Sequence, residues 1–344
     1  MKKILCALAV GSLIFATVGC GSNSKESNVQ ESTTKAVTEN EKKDENVGES
    51  IKIGFSPYTL TNEYFSAVET GVKEACEELG YEVITADPQS DSTTQAKQID
   101  DMIGQGIKGL VYIPNDSQNA RSVLQTCKDN GVFVINVDNV IKEDDYDLVD
   151  GIIASDNLGL GKLSGNWVAK NHPNGANVLI VHLQTAESCA INVQGFWDGI
   201  KEIAGSLDNY KEVQVVEGGG ATDIAYKAVA DALSAHPEIN VIYCINDTSA
   251  AGAIQAVEEA NLSGKIDVLG KDAAPLGKQA IKDGKEVQSS GQRPSQMGYD
   301  GVYAISDLLS GKKIEFNKAI EAYNVDRENI GDFDINAWDT IKKR

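Results

Sequence analysis

From Ile51 onward, short apolar runs alternate with longer segments whose apolar residues recur at helical spacing. The runs that read as strands are Ile51–Phe55, Glu82–Ala86, Gly109–Ile113, Val132–Val137, Gly151–Ala154, Asn177–His182, Glu212–Val216, Val241–Ile245, Asp267–Leu269 and Glu286–Ser289. The stretches between them read as amphipathic helices. In the first, Phe65, Val68, Val72, Ala75, Cys76 and Leu79 line one face and Gly80 ends it. Strands separated by helices imply parallel sheets with right-handed crossovers. The series runs twice, once to about Val137 and again from about Ala176. The pattern therefore predicts an α/β protein with two doubly wound parallel-sheet lobes.

The start of the chain follows a different rule. Met1-Lys2-Lys3 is basic, Ile4 to Phe15 is apolar, and small residues lead to Cys20. That is the layout of a secretory signal over residues 1–19, too short to remain as a membrane span. From Gly21 to about Ser50 the chain is Ser, Asn, Glu, Lys and Thr with almost nothing apolar. It cannot bury enough surface to order itself and reads as a flexible tether over 20–50.

Composition narrows the function classes. The chain has 344 residues and a net charge of −20, and loss of Lys2 and Lys3 with the signal makes it −22. Nucleic acid is excluded as a partner, because its binding needs a basic face. Six cysteines are present, four of them after Cys20: Cys76, Cys127, Cys189 and Cys244. None sits in a CxxC or a metal-type cluster, and Cys76 and Cys127 fall on apolar helix faces, so buried thiols are expected. The helices carrying those two lie on opposite faces of a doubly wound sheet, too far apart for a disulfide.

Parallel sheets of this kind bind ligands outside the carboxyl ends of their strands. The first strand runs into "SPYTLTNEYF" at Ser56–Phe65, and the fourth gives way to Asp138-Asn139. In the second half, strands lead to Asn246-Asp247, to Lys271-Asp272 and to Gln292. Hydrogen-bonding side chains at strand ends in both halves predict a polar pocket between lobes. Asp247, Thr248 or Ser249 could equally cap the helix that begins there. Catalytic signatures are missing. Gly218-Gly219-Gly220 is not followed by the GxxxxGK[ST] pattern, Gly159-Leu160-Gly161 lacks GxGxxG spacing, and there is no GxSxG elbow. The three histidines, His172, His182 and His236, form no metal-spaced cluster. No enzyme is expected.

Several segments together carry a resemblance: "NEYF" at Asn62–Phe65, "IIASDNLGLGKLSG" at Ile152–Gly165, "AHPEINVIYCIND" at Ala235–Asp247, "VLGKDAAP" at Val268–Pro275 and "GQRPSQMGYDG" at Gly291–Gly301. Over about Ile51 to Arg344 the chain resembles the type I periplasmic binding proteins of the ribose and galactose group, which feed ABC transporters. The resemblance implies a periplasmic-binding-protein-like fold whose lobes are 51–154 plus 293–322 and 155–292 plus 323–344. Its three hinge crossings fall near Ser155, Gln292-Arg293 and Ala322-Tyr323. It implies that Asn62, Tyr64 and Phe65 form an aromatic wall against a sugar ring and that Asp138 clamps hydroxyls. Asn246, Asp272 and Gln292 match donors and acceptors of the second lobe and hinge, and Tyr58 stands where a small polar residue is common. The chain departs from the ribose pattern at Asn139 and Asn192, where arginines are expected. It departs again at Gly220 and Lys271, where aromatics are expected, which argues against ribose itself. The implied ligand is a neutral monosaccharide or related polyol, bound without metal or cofactor. Thr17-Val18-Gly19-Cys20 resembles a lipobox, which implies export and lipid anchoring through Cys20 to the outer face of the cell membrane; a monomer is expected. The implied partner is an ABC permease; a lipoprotein presenting sugar to a sensor kinase or chemoreceptor would have the same pocket.

Overall fold

A computed structural model describes residues 50–184 and 186–344; the signal segment, Cys20 and nearly all of the tether lie outside the described residues. The described residues form one compact unit. Within it the chain builds two six-stranded sheets.

The first sheet holds β1 (Lys52–Ser56), β2 (Glu82–Thr85), β3 (Gly109–Tyr112), β4 (Phe133–Val137), β5 (Gly151–Ser155) and β11 (Asn317–Ile320), in the order β11-β5-β4-β3-β1-β2. All its neighbours are parallel. The second holds β6 (Ala176–His182), β7 (Tyr210–Glu217), β8 (Val241–Cys244), β9 (Asp267–Asp272), β10 (Gln288–Gly291) and β12 (Tyr323–Asp326), in the order β12-β10-β9-β8-β6-β7. Only β12 runs antiparallel, against β10. The chain changes sheet after β5, after β10 and between β11 and β12, which makes three crossings.

Helices cover both faces of each sheet. Helices α1 (Glu63–Leu79) and α9 (Pro294–Leu309) pack on one face of the first sheet. Helices α2 (Ser92–Gly104) and α3 (Arg121–Asp129) fill the other. In the second lobe, α4 (Asn157–Asn171) and α5 (Glu187–Ala204) cover one face, while α6 (Thr222–Ala235) and α7 (Asp247–Glu259) cover the other. Helix α8 (Pro275–Lys282) follows β9. Cys76 lies in the α1–α9 layer and Cys127 in the α2–α3 layer, so the sheet separates them; all four described cysteines are buried and free.

The glycines of "NLGLGKLSG" have a packing reason. A Cβ at Gly161 would overlap the Asn192 carbonyl of α5, and one at Gly165 the Phe196 carbonyl. From the other side, Gly195 and Gly199 meet the carbonyls of Leu158 and Lys162. Helices α4 and α5 thus touch backbone to backbone.

The strand pattern holds with three differences. Strand β9 continues through Lys271 and Asp272, because these residues pair with Ser290 and Gly291 of β10. Strand β10 begins at Gln288 rather than Glu286; its Gln-Ser-Ser-Gly sequence is fully buried and has no apolar signature. Strands β11 and β12 are only four residues long, mix polar with apolar positions, and sit at sheet edges where one neighbour is enough.

Candidate ligand-binding site

Strand ends from both sheets bring a connected set of side chains together. Asn62 caps α1, its Oδ1 accepting the Tyr64 N–H at 2.9 Å, and so fixes where Tyr64 and Phe65 leave the helix. The Tyr64 hydroxyl lies 2.7 Å from Asp138 Oδ1 and 3.2 Å from Gln292 Oε1. Gln292 Oε1 also accepts from Ser155 Oγ at 2.6 Å, and its Nε2 donates to Asp272 Oδ1 at 2.7 Å. Lys271 Nζ stands 3.4 Å from the same Asp272 oxygen. The resulting line runs Asp138–Tyr64–Gln292–Asp272–Lys271. It starts at β4 and α1 of the first lobe and ends on β9 of the second.

Two of these carboxylates sit on unusual backbone. Asp138 has φ 64° and Asp272 has φ 116°, with Ala273 at 48° after it. Left-handed backbone at a non-glycine residue persists only where the surroundings hold it, and such positions gather at ligand sites. The turn after Asp272 is held from behind. Ala273 N donates to Ser289 Oγ at 3.0 Å, and Ala274 N donates to Asp247 Oδ2 at 2.7 Å.

Electrostatics follow from burial. Burial pushes the carboxyl of Asp138 above its ordinary value, against the pull of the Tyr64 hydrogen bond and the Lys271 charge. Asp272 is raised by burial too, with Lys271 opposing. Burial acts against the Lys271 ammonium, but Asp272 and Asp138 outweigh it and hold the group charged. The Tyr64 phenol is pushed well up, by burial first and then by Asp138, so its oxygen stays a donor. Two acids share one ammonium, and the site is rich in acceptors.

Aromatic rings complete the first-lobe wall. Phe65 stacks on Tyr58, centroids 5.6 Å apart at 26°, and meets Tyr64 edge-on at 5.3 Å and 88°. Tyr64 is in turn met edge-on by Trp338 at 5.5 Å and 82°. Flat rings beside a row of hydroxyl-binding groups suit a ligand with a polar rim and apolar faces.

Residues 53–313 match the family model described as periplasmic binding protein domain. The chain belongs to the periplasmic binding protein family. The ribose import binding protein of Salmonella typhimurium is 30% identical over 261 residues, which is 75% of this chain and 84% of that one. A solute-binding protein of an ABC transporter from Actinobacillus succinogenes, solved with bound D-allose, superposes with a TM-score of 0.76 at 23% identity, covering 83% of this chain and 100% of the other. A Caulobacter myo-inositol binding protein bound to myo-inositol gives 0.71 at 25% identity, covering 83% and 96%. The relatives are extracytoplasmic binding proteins of sugar transport and not enzymes.

Not every residue expected in the pocket of this periplasmic binding protein is placed there. Asn192 is fully buried; its Oδ1 accepts from the Tyr243 hydroxyl and its Nδ2 donates to the Asn157 carbonyl at 3.2 Å. It locks the α4–α5 pair to β8 and presents no surface to a ligand, which corrects the expectation for that position. Asn246 caps α7, accepting from Ser249 N at 2.9 Å, while its Nδ2 donates to the Gly220 carbonyl at 3.2 Å. Asn139 is half-buried and offers its carbonyl to Asn136 Nδ2 at 2.9 Å. Asn62 is exposed at the rim, with its Nδ2 turned away from the cap it makes through Oδ1. Asp247 neither caps α7 through its side chain nor reaches the pocket; it is buried beneath the Asp272 turn.

Three contributors carry no ligand-site signal in the sequence. Ser155 was expected only as a hinge position, yet its hydroxyl orients Gln292. Ser289 supports the turn that carries Asp272. Trp338 lies beyond the last strand, in a stretch with no periodic pattern to mark it. The tail also corrects the lobe assignment of 323–344. Tyr323 and Phe333 pack on the second lobe, but Trp338 and Ile341 join the first-lobe core, and Lys343 pairs with Glu74 and Glu78 of α1.

Proposed function

We propose that this protein captures a neutral monosaccharide or related polyol in the cleft between its lobes and delivers it to an ABC importer by hinge closure. The observation that carries the reading is the line of side chains from Asp138 through Tyr64 and Gln292 to Asp272 and Lys271, which joins both lobes. A polyhydroxy ligand entering it finds carboxylate acceptors on each side and ring faces at Tyr58, Tyr64 and Phe65. Asn62 and Asn139 supply amides. The lobes that move are 51–154 plus 293–322 and 155–292 plus the chain from 323 to about Phe333. Relatives that carry ribose, D-allose and myo-inositol in their names support a small polyhydroxy ligand. The mature protein is a monomer held at the outer face of the membrane by a lipid on Cys20 and needs no metal or cofactor to bind.

Thermal melting against D-ribose, D-allose, myo-inositol, hexoses, nucleosides and amino acids tests the ligand class. A sugar or polyol at about a hundred times its dissociation constant adds roughly 2.7 kcal/mol and raises the melting temperature by several degrees. Asp138→Ala or Asp272→Ala should weaken that ligand about tenfold or more, since each removes a charged hydrogen-bond acceptor. A shift with amino acids alone would overturn the ligand class, and a sugar shift intact in both variants would overturn the site.

A further inference from the structure

The chain after β12 returns to the first lobe, and it does so against Tyr64. Residues 334–338 are held by the second lobe. Lys278 of α8, 2% exposed, donates from Nζ to the carbonyls of Asp334 at 3.3 Å, Ala337 at 2.6 Å and Trp338 at 2.9 Å. Tyr323 donates its hydroxyl to the Trp338 carbonyl at 3.1 Å. The next residue is held by the first lobe. Asp339 accepts from Ser295 N and Gln296 N, both at 3.1 Å, and so caps α9, which has no cap of its own. Lys342 N donates to Gln296 Oε1 at 2.6 Å, and Arg344 pairs with Asp307 at 2.7 Å. The tail therefore crosses between the lobes at Trp338: its carbonyl is held by the second lobe, and its ring packs on the first, edge-on to Tyr64. This segment lies outside the span 53–313 that matches the family model.

We propose that residues 334–344 are an interlobe latch and that Trp338 is a positioning residue for the ligand wall, acting through Tyr64. The proposal rests on the reading of Tyr64 and Asp138 as ligand-binding residues. The Tyr64 ring is fixed on one edge by Phe65, at its hydroxyl by Asp138 and on a further side by Trp338. Hinge opening either breaks the Lys278 and Asp339 contacts or drags the tryptophan off Tyr64. The latch thus narrows the opening of the empty protein and keeps the wall set for ligand, which lowers the cost of ordering the site on binding.

The test uses the full chain with Trp338→Ala, Trp338→Phe, Lys278→Met and Asp138→Ala. D-Ribose, D-allose and myo-inositol serve as probes by calorimetry, and the probe-free protein is followed by small-angle scattering. An edge-on ring contact is worth about two- to tenfold in affinity. Trp338→Ala should weaken the bound probe by that factor and enlarge the probe-free radius of gyration, while Trp338→Phe recovers most of both. Lys278→Met, which frees the strap without touching Tyr64, should enlarge the probe-free protein in the same way and decides the matter if Trp338→Ala does not fold. Wild-type affinity and wild-type scattering in Trp338→Ala, with binding lost in Asp138→Ala, would overturn the latch and leave the site standing. Full binding in Asp138→Ala, or no binding of any probe by the unaltered protein, would overturn the site, and scattering alone then judges the latch: unchanged dimensions in Trp338→Ala and Lys278→Met reject it.

Discussion

Replacing Glu286 with glutamine should stabilise the protein at neutral pH and remove part of its pH dependence. Glu286 is 1% exposed, and neither carboxyl oxygen has a hydrogen-bond partner among the described residues. A Cβ placed on Gly270 would touch both Glu286 and Asp247, so the two acids share one hollow. Burial pushes the Glu286 carboxyl well above its ordinary range and the Asp247 charge pushes it further; the Gly270 N–H pulls the other way from outside hydrogen-bond geometry. Asp247 is raised by burial as well, but it accepts from Ser289 Oγ at 2.6 Å and Ala274 N at 2.7 Å. Asp247 therefore ionises first, and Glu286 keeps the proton. In the unfolded chain glutamate releases its proton near pH 4.3, so above that the folded state binds the extra proton. Stability then falls as pH rises, by about 1.4 kcal/mol per unit, until the folded group ionises. Up to pH 7 that amounts to at most about 3.7 kcal/mol, and an unpartnered buried amide returns about 1–3 kcal/mol of it. The net gain for Glu286→Gln at pH 7 is thus at most about 1–3 kcal/mol, turning to a loss near pH 4.5, where wild-type glutamate is largely neutral in both states. Urea unfolding of both proteins at half-unit steps from pH 4.5 to 8 reads the difference. Parallel curves for the two proteins would refute the assignment of the proton to Glu286.

Other substitutions separate packing from binding. Gly161→Val should cost 3 kcal/mol or more, roughly the scale of severe overpacking, because its side chain would enter the Asn192 backbone. Gly104→Ala, at the open end of α2 with nothing within 4 Å, should be neutral or stabilise by up to about 1 kcal/mol; equal melting temperatures for the two variants would contradict the α4–α5 contact. Asn192→Ala should lower stability by about 1–3 kcal/mol, since it strands the buried Tyr243 hydroxyl, yet leave sugar affinity at 25 °C unchanged; a selective loss of affinity would return Asn192 to the pocket. Burial pushes the thiols of Cys76 and Cys127 up to about 12, so alkylation at pH 8 should label neither until denaturant is added. Non-reducing mass analysis should find no bridge between them.

Periodicity along the chain settles the elements that are buried on one or both faces by apolar residues. All ten of the expected strands sit within three residues of their observed limits, and most do so because a buried parallel strand is apolar along its length. The same logic puts Cys76 and Cys127 on opposite faces of the first sheet, and strand ends mark Tyr64, Asp138, Asp272 and Gln292 as candidates. Polar elements leave a weaker mark or none: β10 lies two residues beyond the Glu286–Ser289 run, and no run marks β11 or β12. Strand β10 is Gln-Ser-Ser-Gly, and it is buried because β9 and β12 satisfy its backbone, a condition only the folded sheet creates. Asn192 and Asn246 carry the same amide as a ligand contact would, and only their neighbours, Tyr243 and Ser249, decide that one locks helices and the other caps one. Trp338 and Asp339 show the limit most clearly. No pattern surrounds them, yet Lys278, Tyr64 and the first turn of α9, remote in sequence, gather them at the hinge. Hydrophobic spacing is a local property and can be read from the chain alone. Which polar group meets which partner depends on how distant segments are brought together, and tertiary structure alone decides that.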